Sequence, residues 1–253
     1  MVSRGQGDGF VLRNLDTVEL QRQAAALYRR VFGYGDPDFG LSPRLLTGLL
    51  RNGGSVVGAV DRDGALLAFA YGMCAADSTG GYHYSQAAVV APGNQGRGLG
   101  RLLKQAQAEV ARSTGTRRMR WSYDPLVARN AHFNLDVLGA VGRWYVADFY
   151  FDGDSDRVVV EWDLDGRAEP VAARSPERGP DRWAWGRTWR EGDDGWLAVP
   201  ADLDGLGEAD RIELRDRVRD GFRGFLGDGL VARSCTRADP GTAVYRFTGR
   251  GAA

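Results

Sequence analysis

The 253-residue sequence predicts an α/β (α+β) protein, with a mixed, mostly antiparallel central sheet flanked by helices and a small α+β extension at its C-terminal end. Three observations lead there. Strand-like and helix-like segments alternate through the first 165 residues. Three consecutive strand-like runs in the middle share short connections. The third of these runs passes through a glycine-rich loop into an apolar-periodic helix.

Gly9 to Leu15 reads as a strand. Asp16-Thr17 then supplies an N-cap signal for a helix whose apolar face holds Leu20, Ala24, Leu27, Val31 and Phe32. A Gly/Asp/Pro-rich loop from Gly33 to Leu41 follows. Ser42-Pro43 next places a cap residue and a first-turn proline ahead of Leu45, Leu46, Leu49 and Leu50, a second helix ending near Gly53. Ser55 to Val60, Leu66 to Ala75 and Tyr82 to Val90 form an antiparallel meander, with Asp61-Arg62-Asp63-Gly64 as its first turn. The loop from Pro92 to Gly100 leads into a helix carrying Leu99, Leu102, Leu103, Ala106 and Val110. Arg118 to Tyr123 reads as a strand, Val127 to Leu138 as a helix closed by Gly139, and Arg143 to Tyr150 and Arg157 to Leu164 as strands.

From Asp165 to about Arg182 apolar density falls and Pro170, Pro176 and Pro180 appear, which reads as a linker. The expected division is therefore a domain over 1–165 and a linker with extension over 166–253. The extension holds a strand over Gly195 to Val199, a helix from about Glu208 to Leu226, and strands over Leu230 to Thr236 and Thr242 to Phe247. At roughly 70 residues it is near the size at which a core is marginal alone, so it is expected to pack on the first domain.

Composition excludes several classes. With 43% hydrophobic and 26% charged residues the chain suits a globular protein, and 33 basic residues cancel 33 acidic ones, leaving no global field for nucleic acid or an anionic membrane. Two cysteines, Cys74 and Cys235, and two histidines are too few for a disulfide framework or a metal cage. The start of the chain has no apolar leader and no apolar run approaches 18 residues, so a reducing cytoplasmic setting is expected. Lys104 is the sole lysine, which reads as codon bias toward arginine.

The chemistry concentrates in Val89-Val90-Ala91-Pro92-Gly93-Asn94-Gln95-Gly96-Arg97-Gly98-Leu99-Gly100-Arg101. A strand runs into glycines that tolerate positive φ, then into a helix whose first N–H groups lack internal partners, a ready anion site. A Walker loop is excluded because Leu99-Gly100 stands where Lys-Ser/Thr is required. The dinucleotide pattern is excluded because its third glycine falls at Arg101. What remains is Gln95-x-x-Gly98-x-Gly100.

That signature, in its strand-to-helix context, resembles the GNAT superfamily of acyl-CoA-dependent N-acyltransferases. The element order over about Gly9 to Leu164 is similar to the family's as well. Trp121-Ser122-Tyr123-Asp124-Pro125-Leu126, Arg129-Asn130-Ala131-His132-Phe133-Asn134-Leu135 and Ser155-Asp156-Arg157-Val158-Val159-Val160-Glu161-Trp162 resemble a little-characterised branch of acetyltransferases with a C-terminal extension. The resemblance implies that backbone amides of Gln95, Gly96, Arg97, Gly98, Leu99 and Gly100 bind the coenzyme A pyrophosphate, with Arg97 and Arg101 adding charge. It implies that Val89 and Val90 pair with the pantetheine arm while the strand from Met119 to Tyr123 splays away. Asn130 is a candidate for the arm's other side, or an ordinary residue of a first helical turn.

Direct acyl transfer needs a base for the acceptor ammonium, a donor for the oxyanion, which the Val89 or Val90 amide can supply, and an acid or solvent for the leaving thiolate. In many GNAT enzymes that acid is a tyrosine a few residues before a Gly-Phe. Here Gly139-Ala140 stands at the Gly-Phe and Leu135 at the tyrosine. Tyr123, Asp124 and Tyr150 are the substitute candidates. His132 reads as a helical residue, His83 as a core residue that with Gln86 could instead line the acceptor side, and Cys74 as a small core residue. Tyr34, Asp36, Asp38 and Phe39 are candidates for an acceptor pocket. Trp183, Trp185, Trp189 and Trp196 read as burial, with an acceptor wall or a homodimer contact as alternatives.

The expected function is transfer of an acetyl or other short acyl group, such as succinyl, from its coenzyme A thioester to a small-molecule or amino-acid amine. No metal and no nucleic-acid or membrane partner is expected. The alternatives are a noncatalytic acyl-CoA-binding module and a coenzyme A enzyme of altered chemistry in specialised biosynthesis.

Overall fold

A computed structural model describes residues 9–33, 35–36, 39–166 and 184–249. The chain divides into two compact units, Met1–Trp121 and Ser122–Ala253. Packing thus divides the chain well ahead of the composition change near Asp165.

In the first unit, β1 (Phe10–Asn14) leads to α1 (Val18–Phe32) and α2 (Pro43–Arg51), then β2 (Ser55–Asp61), β3 (Leu66–Asp77) and β4 (Gly80–Val90), then α3 (Leu99–Ser113) and β5 (Arg118–Tyr123). The strands lie in the order β1-β2-β3-β4-β5. All neighbours are antiparallel except β4 and β5, which run parallel because α3 carries the chain back across the sheet. Thr17 caps α1, its hydroxyl accepting the Leu20 N–H at 3.3 Å, and Gly33 ends the helix in the left-handed conformation. Alternation along the strands sorts apolar side chains to two faces. Leu20, Ala24, Leu27 and Leu46 of α1 and α2 cover Val56, Phe69, Tyr71 and Val89. Leu99 and Leu103 of α3 cover Val57, Ala59, Ala68 and Ala70.

The second unit contains α4 (Ala128–His132), β6 (Val141–Val146), β7 (Arg157–Asp163), β8 (Thr188–Glu191), β9 (Asp194–Pro200), α5 (Glu208–Gly227), β10 (Leu230–Asp239) and β11 (Thr242–Gly249). The order is β7-β6-β10-β11-β9-β8, antiparallel at each described pairing. Phe222 of α5 packs against Tyr145, Tyr245 and Phe247 at ring separations of 5.3, 5.0 and 5.0 Å. Trp189 and Trp196 stack at 6.2 Å, with Trp196 fully buried, and the Trp185 indole donates to Thr242 Oγ1 at 3.3 Å. These three tryptophans are therefore packing residues of this unit's own sheet. Trp183 and most of the expected linker lie outside the described residues.

Several elements differ from expectation. The helix expected from Val127 is α-helical only to His132 and continues as a π-helical turn over Phe133–Val137. β6 ends at Val146, so Tyr150 lies in a turn region, where the Phe149 N–H donates to Ser155 O. β8 was not anticipated, since four residues of alternating exposure carry little periodic signal. Cys74 is exposed on β3, its thiol against Gly53 O, and is not the core residue expected.

Asp156 anchors α5 in the second unit. Its carboxylate accepts from Tyr145 Oη at 2.7 Å, the Asp148 N–H at 2.9 Å, and Arg219 Nε and a terminal guanidinium nitrogen at 2.8 and 3.1 Å. Burial raises its pKa, but the hydrogen bonds from Arg219 and Tyr145 outweigh that and hold it below the usual carboxylate value. Its stabilising contribution is therefore present above the unfolded value near 3.9 and is lost as pH falls through the lower folded value. Asp156→Asn is expected to lower unfolding free energy by about 2 kcal/mol at pH 7, the size of a lost charge-assisted hydrogen bond. The difference from the parent should shrink in acid, as chemical denaturation at pH 7 and pH 3 would show.

Candidate functional site

The best-formed candidate site is built from β4, the loop after it and the start of α3. β4 pairs with β3 along its whole length, to Val90↔Ala68, but with β5 only at His83↔Met119 and Tyr84↔Arg120. Beyond Tyr84, β4 therefore continues for six residues with no ladder to β5, leaving a strand edge to which an amide-bearing chain can bond. Register with β3 passes from Tyr71↔Ala87 to Gly72↔Ser85, so Gln86 is the extra residue of a bulge. The bulge changes which face each side chain meets. Ser85 bonds Gln107 and Lys104 of α3, whereas Ala87 and Val89 pack under α1 and α2.

Past Val90 the chain turns through Gly93, Gly96 and Gly98, at φ of 82°, 77° and 75°. A side chain at those φ values is strained, and each Cβ direction is open, with nothing within 4 Å. Gly98 is also the N-cap of α3. It offers no side-chain cap and the first turn has no acidic residue, so the N–H groups of Leu99, Gly100 and Arg101 precede the first intrahelical bond, from Leu102 to Gly98 O at 3.2 Å. Those donors and the positive end of a 15-residue helix converge on one place, the geometry an anionic phosphate group requires. Leu99 is buried and anchors the helix, while Gln95, Gly96, Arg97 and Arg101 are exposed and Gly100 is half-buried. Arg97 donates to Asn94 Oδ1 at 2.8 Å, a bond that shapes the loop. Val89 is buried and Val90 half-buried on the open edge of β4.

The catalytic candidates lie in or at the start of the second unit. Tyr123, at the end of β5, is buried; its hydroxyl makes no hydrogen bond of good geometry, and burial pushes its pKa well up. The neighbouring Tyr245 hydroxyl donates to Pro125 O at 2.8 Å. The Asp124 carboxylate accepts the Leu126 N–H at 2.8 Å and shapes the turn into α4, and burial raises its pKa. Tyr150 is 46% exposed beneath the Arg157 guanidinium, 5.2 Å from the ring centroid. Asn130 is exposed in the first turn of α4. Leu135 is buried in the π-helical turn, and His132 bonds the Cys235 carbonyl and Asp136 at 3.0 and 3.2 Å. Of the acceptor candidates, Asp36 and Phe39 are exposed, and Tyr34 and Asp38 lie outside the described residues.

Sequence reasoning did not single out a buried polar group on the α3 side of β4, formed by Ser55, His83, Ser85, Lys104 and Gln107. The available signal was positional. Lys104 and Gln107 fall on the inward stripe of α3 with Leu103, Ala108 and Ala111. Among the described residues no group of three or more His, Cys, Asp or Glu could hold a metal ion, and no helix is long and apolar enough to cross a membrane.

No protein-family profile and no curated protein sequence matches the chain. Solved structures do. Salmonella typhimurium yncA, assigned as an acetyltransferase and solved with its cofactor acetyl-CoA, shares 18% identity over 66% of this chain and 100% of its own, at a TM-score of 0.51. The NatC complex bound to Gag peptide and CoA contributes a chain at 13% identity, covering 62% and 99%, also at 0.51. An acetyltransferase assigned to the GNAT family from Desulfovibrio desulfuricans aligns at 21% identity over 61% and 99%, at 0.47. A parallel β4–β5 pair that parts at Tyr84, with β4 running on alone to a glycine-rich helix start, together with the likeness to the two structures at 0.51, gives the chain the fold of the GNAT acetyltransferases.

Proposed function

We propose that the protein is an acyl-CoA-dependent N-acyltransferase that moves an acetyl or similarly short acyl group directly onto the amine of a small molecule or amino acid. The observation that carries this reading is the continuity of two features. The uncapped, acid-free start of α3 suits the coenzyme pyrophosphate, and it is followed back along the chain by the open edge of β4, which suits the amide groups of the pantetheine arm. The residues assigned to the coenzyme are Val89, Val90 and Gln95 to Arg101. The two fold relatives solved with acetyl-CoA or CoA support the choice of ligand. Succinyl-CoA is the second donor to try. Equal numbers of acidic and basic residues fit a small, locally recognised acceptor better than nucleic acid or a membrane surface.

Leu135, buried where the resemblance places a tyrosine, favours a second reading in which the domain binds acyl-CoA without turning it over. Calorimetry with CoA, acetyl-CoA and succinyl-CoA, followed by free-thiol release across a panel of primary amines, separates the two. Amine-dependent thiol release is the expected result. Tight binding with thiol release no faster than without amine would leave the binding module as the function.

A further inference from the structure

This inference rests on the acyltransferase reading above and concerns the chain's sole lysine. Lys104 is 3% exposed. Its Nζ donates to Ser85 Oγ at 2.8 Å and stands 3.9 Å from the centroid of the Trp121 ring. The last paired register between β4 and β5 is Tyr84↔Arg120, so Ser85 and Trp121 are the first residues on each strand after pairing ends. The amine therefore bridges the two strands at the point where they part.

The groups around it are held in one direction. Ser85 Oγ donates to Gln107 Oε1 at 2.8 Å, Gln107 Nε2 donates to Ser55 Oγ at 2.9 Å, and Ser55 Oγ lies 2.8 Å from His83 Nε2. Ser55 Oγ and His83 Nε2 share one proton between them, and His83 Nδ1 is buried with no hydrogen-bond partner among the described residues. Ser85, committed to Gln107, can only accept from Lys104. The amine is thus fixed in place by one hydrogen bond and the Trp121 ring face. Of the titratable neighbours, His83 on β4 is buried, and burial and Lys104 push it down to about 4, so it stays neutral near pH 7. Arg120 on β5 is paired with Asp77 and lies over Tyr82, and Glu109 on α3 is exposed. Among the described residues no carboxylate pairs with Lys104, and burial lowers its pKa well below that of an ordinary lysine.

From Val90 back to Ser85, five residues of extended strand span about 16 Å, the reach of an extended pantetheine arm. A coenzyme held by the α3 loop with its arm along β4 would bring its thioester to Lys104. We infer that Lys104 is a catalytic residue of the acyl transfer, its amino group carrying the proton of the acceptor nitrogen to the departing sulfur. As the nitrogen–carbon bond forms and the carbon–sulfur bond breaks, Nζ takes the proton released by the acceptor nitrogen. It then delivers that proton to the thiolate, so free coenzyme A leaves as the thiol and the lysine ends as it began. Lys104 thereby supplies an acid for the departing thiolate.

A chain with one lysine permits a direct test. Protein grown on lysine labelled at Cε and Nζ gives one lysine side-chain signal, assigned without mutagenesis. The wild-type signal is expected to titrate well below the ordinary lysine value near 10.4 and to move when acetyl-CoA is added. Lys104→Met is expected to lower the kcat of amine-dependent thiol release by about 100-fold with the affinity for CoA unchanged. Ser85→Ala, which keeps the amine but removes its anchor, should shift the pH midpoint of kcat. A lysine signal that ignores acetyl-CoA while calorimetry shows it bound would overturn the role, as would wild-type kcat and pH profile in a folded Lys104→Met protein. If acetyl-CoA does not bind the wild type at all, the acyltransferase reading itself falls.

Discussion

Gly98→Asp is expected to abolish coenzyme A binding in a protein that still folds. Gly98 sits at φ 75° with no atom within 4 Å of an added Cβ, so the substitution meets no packing clash. The left-handed backbone costs a non-glycine residue about 1–2 kcal/mol, which a domain with intact cores on both faces of its sheet survives. The effect on the ligand is far larger. A carboxylate at the N-cap would hydrogen-bond the free N–H groups of α3 itself and set a negative charge beside the pyrophosphate. At an effective dielectric near 20 and separations of about 5 Å, each like-charge pair is worth about 3 kcal/mol, so affinity should fall by about 100-fold or more. Gly98→Ala brings the strain without the charge and should lose much less. Calorimetric titration of both folded variants with coenzyme A decides it, and an unchanged dissociation constant for Gly98→Asp would refute the placement of the pyrophosphate.

Gly72→Ala should produce the largest loss of stability of any single methyl addition near the site. Gly72 faces Ser85 across the ladder, and a Cβ there would lie 2.5 Å from the Tyr84 carbonyl oxygen, 2.6 Å from His83 Nε2 and 3.0 Å from Ser85 Cα. Two of these atoms are backbone, and the third belongs to a fully buried ring held by Ser55, so none can step aside without disturbing the β3–β4 ladder. Overpacking of this kind costs about 3 kcal/mol, which in a protein of this size lowers Tm by roughly 10 °C. Because the clash sits beside the bulge at Gln86, coenzyme affinity should fall with stability. A thermal scan showing the parent Tm would mean that β4 is not held as described.

The two substitutions divide along the line between local and nonlocal information. The loop from Pro92 to Gly100 was legible in the sequence because its demands are local: positive φ at Gly93, Gly96 and Gly98 needs glycine, and a helix start without a capping side chain is visible as an absence in a short window. The meander and the apolar stripes of α1 and α3 were legible for the same reason, since periods of two and 3.6 are written within one element. The bulge at Gln86 was not, because register is set by a partner strand and no single strand records which of its residues is extra. The π-helical turn over Phe133–Val137 and the turn that takes Tyr150 out of β6 likewise answer to neighbours distant in sequence.

Lys104 shows the division most clearly. Read alone, one lysine among 32 arginines looks like composition, and its place on the inward stripe of α3 like an interruption of it. Ser55, His83, Ser85 and Gln107 come from three separate elements, and only their hydrogen bonds give the lysine a site at the parting of β4 and β5. The sequence by itself determined the fold class, the apolar stripes of the helices and the glycine-rich helix start, all of which follow from spacing within a few turns of chain. Tertiary structure decided which polar residues are buried together and where paired strands separate, because burying a polar group is favourable only when distant parts of the chain supply its hydrogen-bond partners.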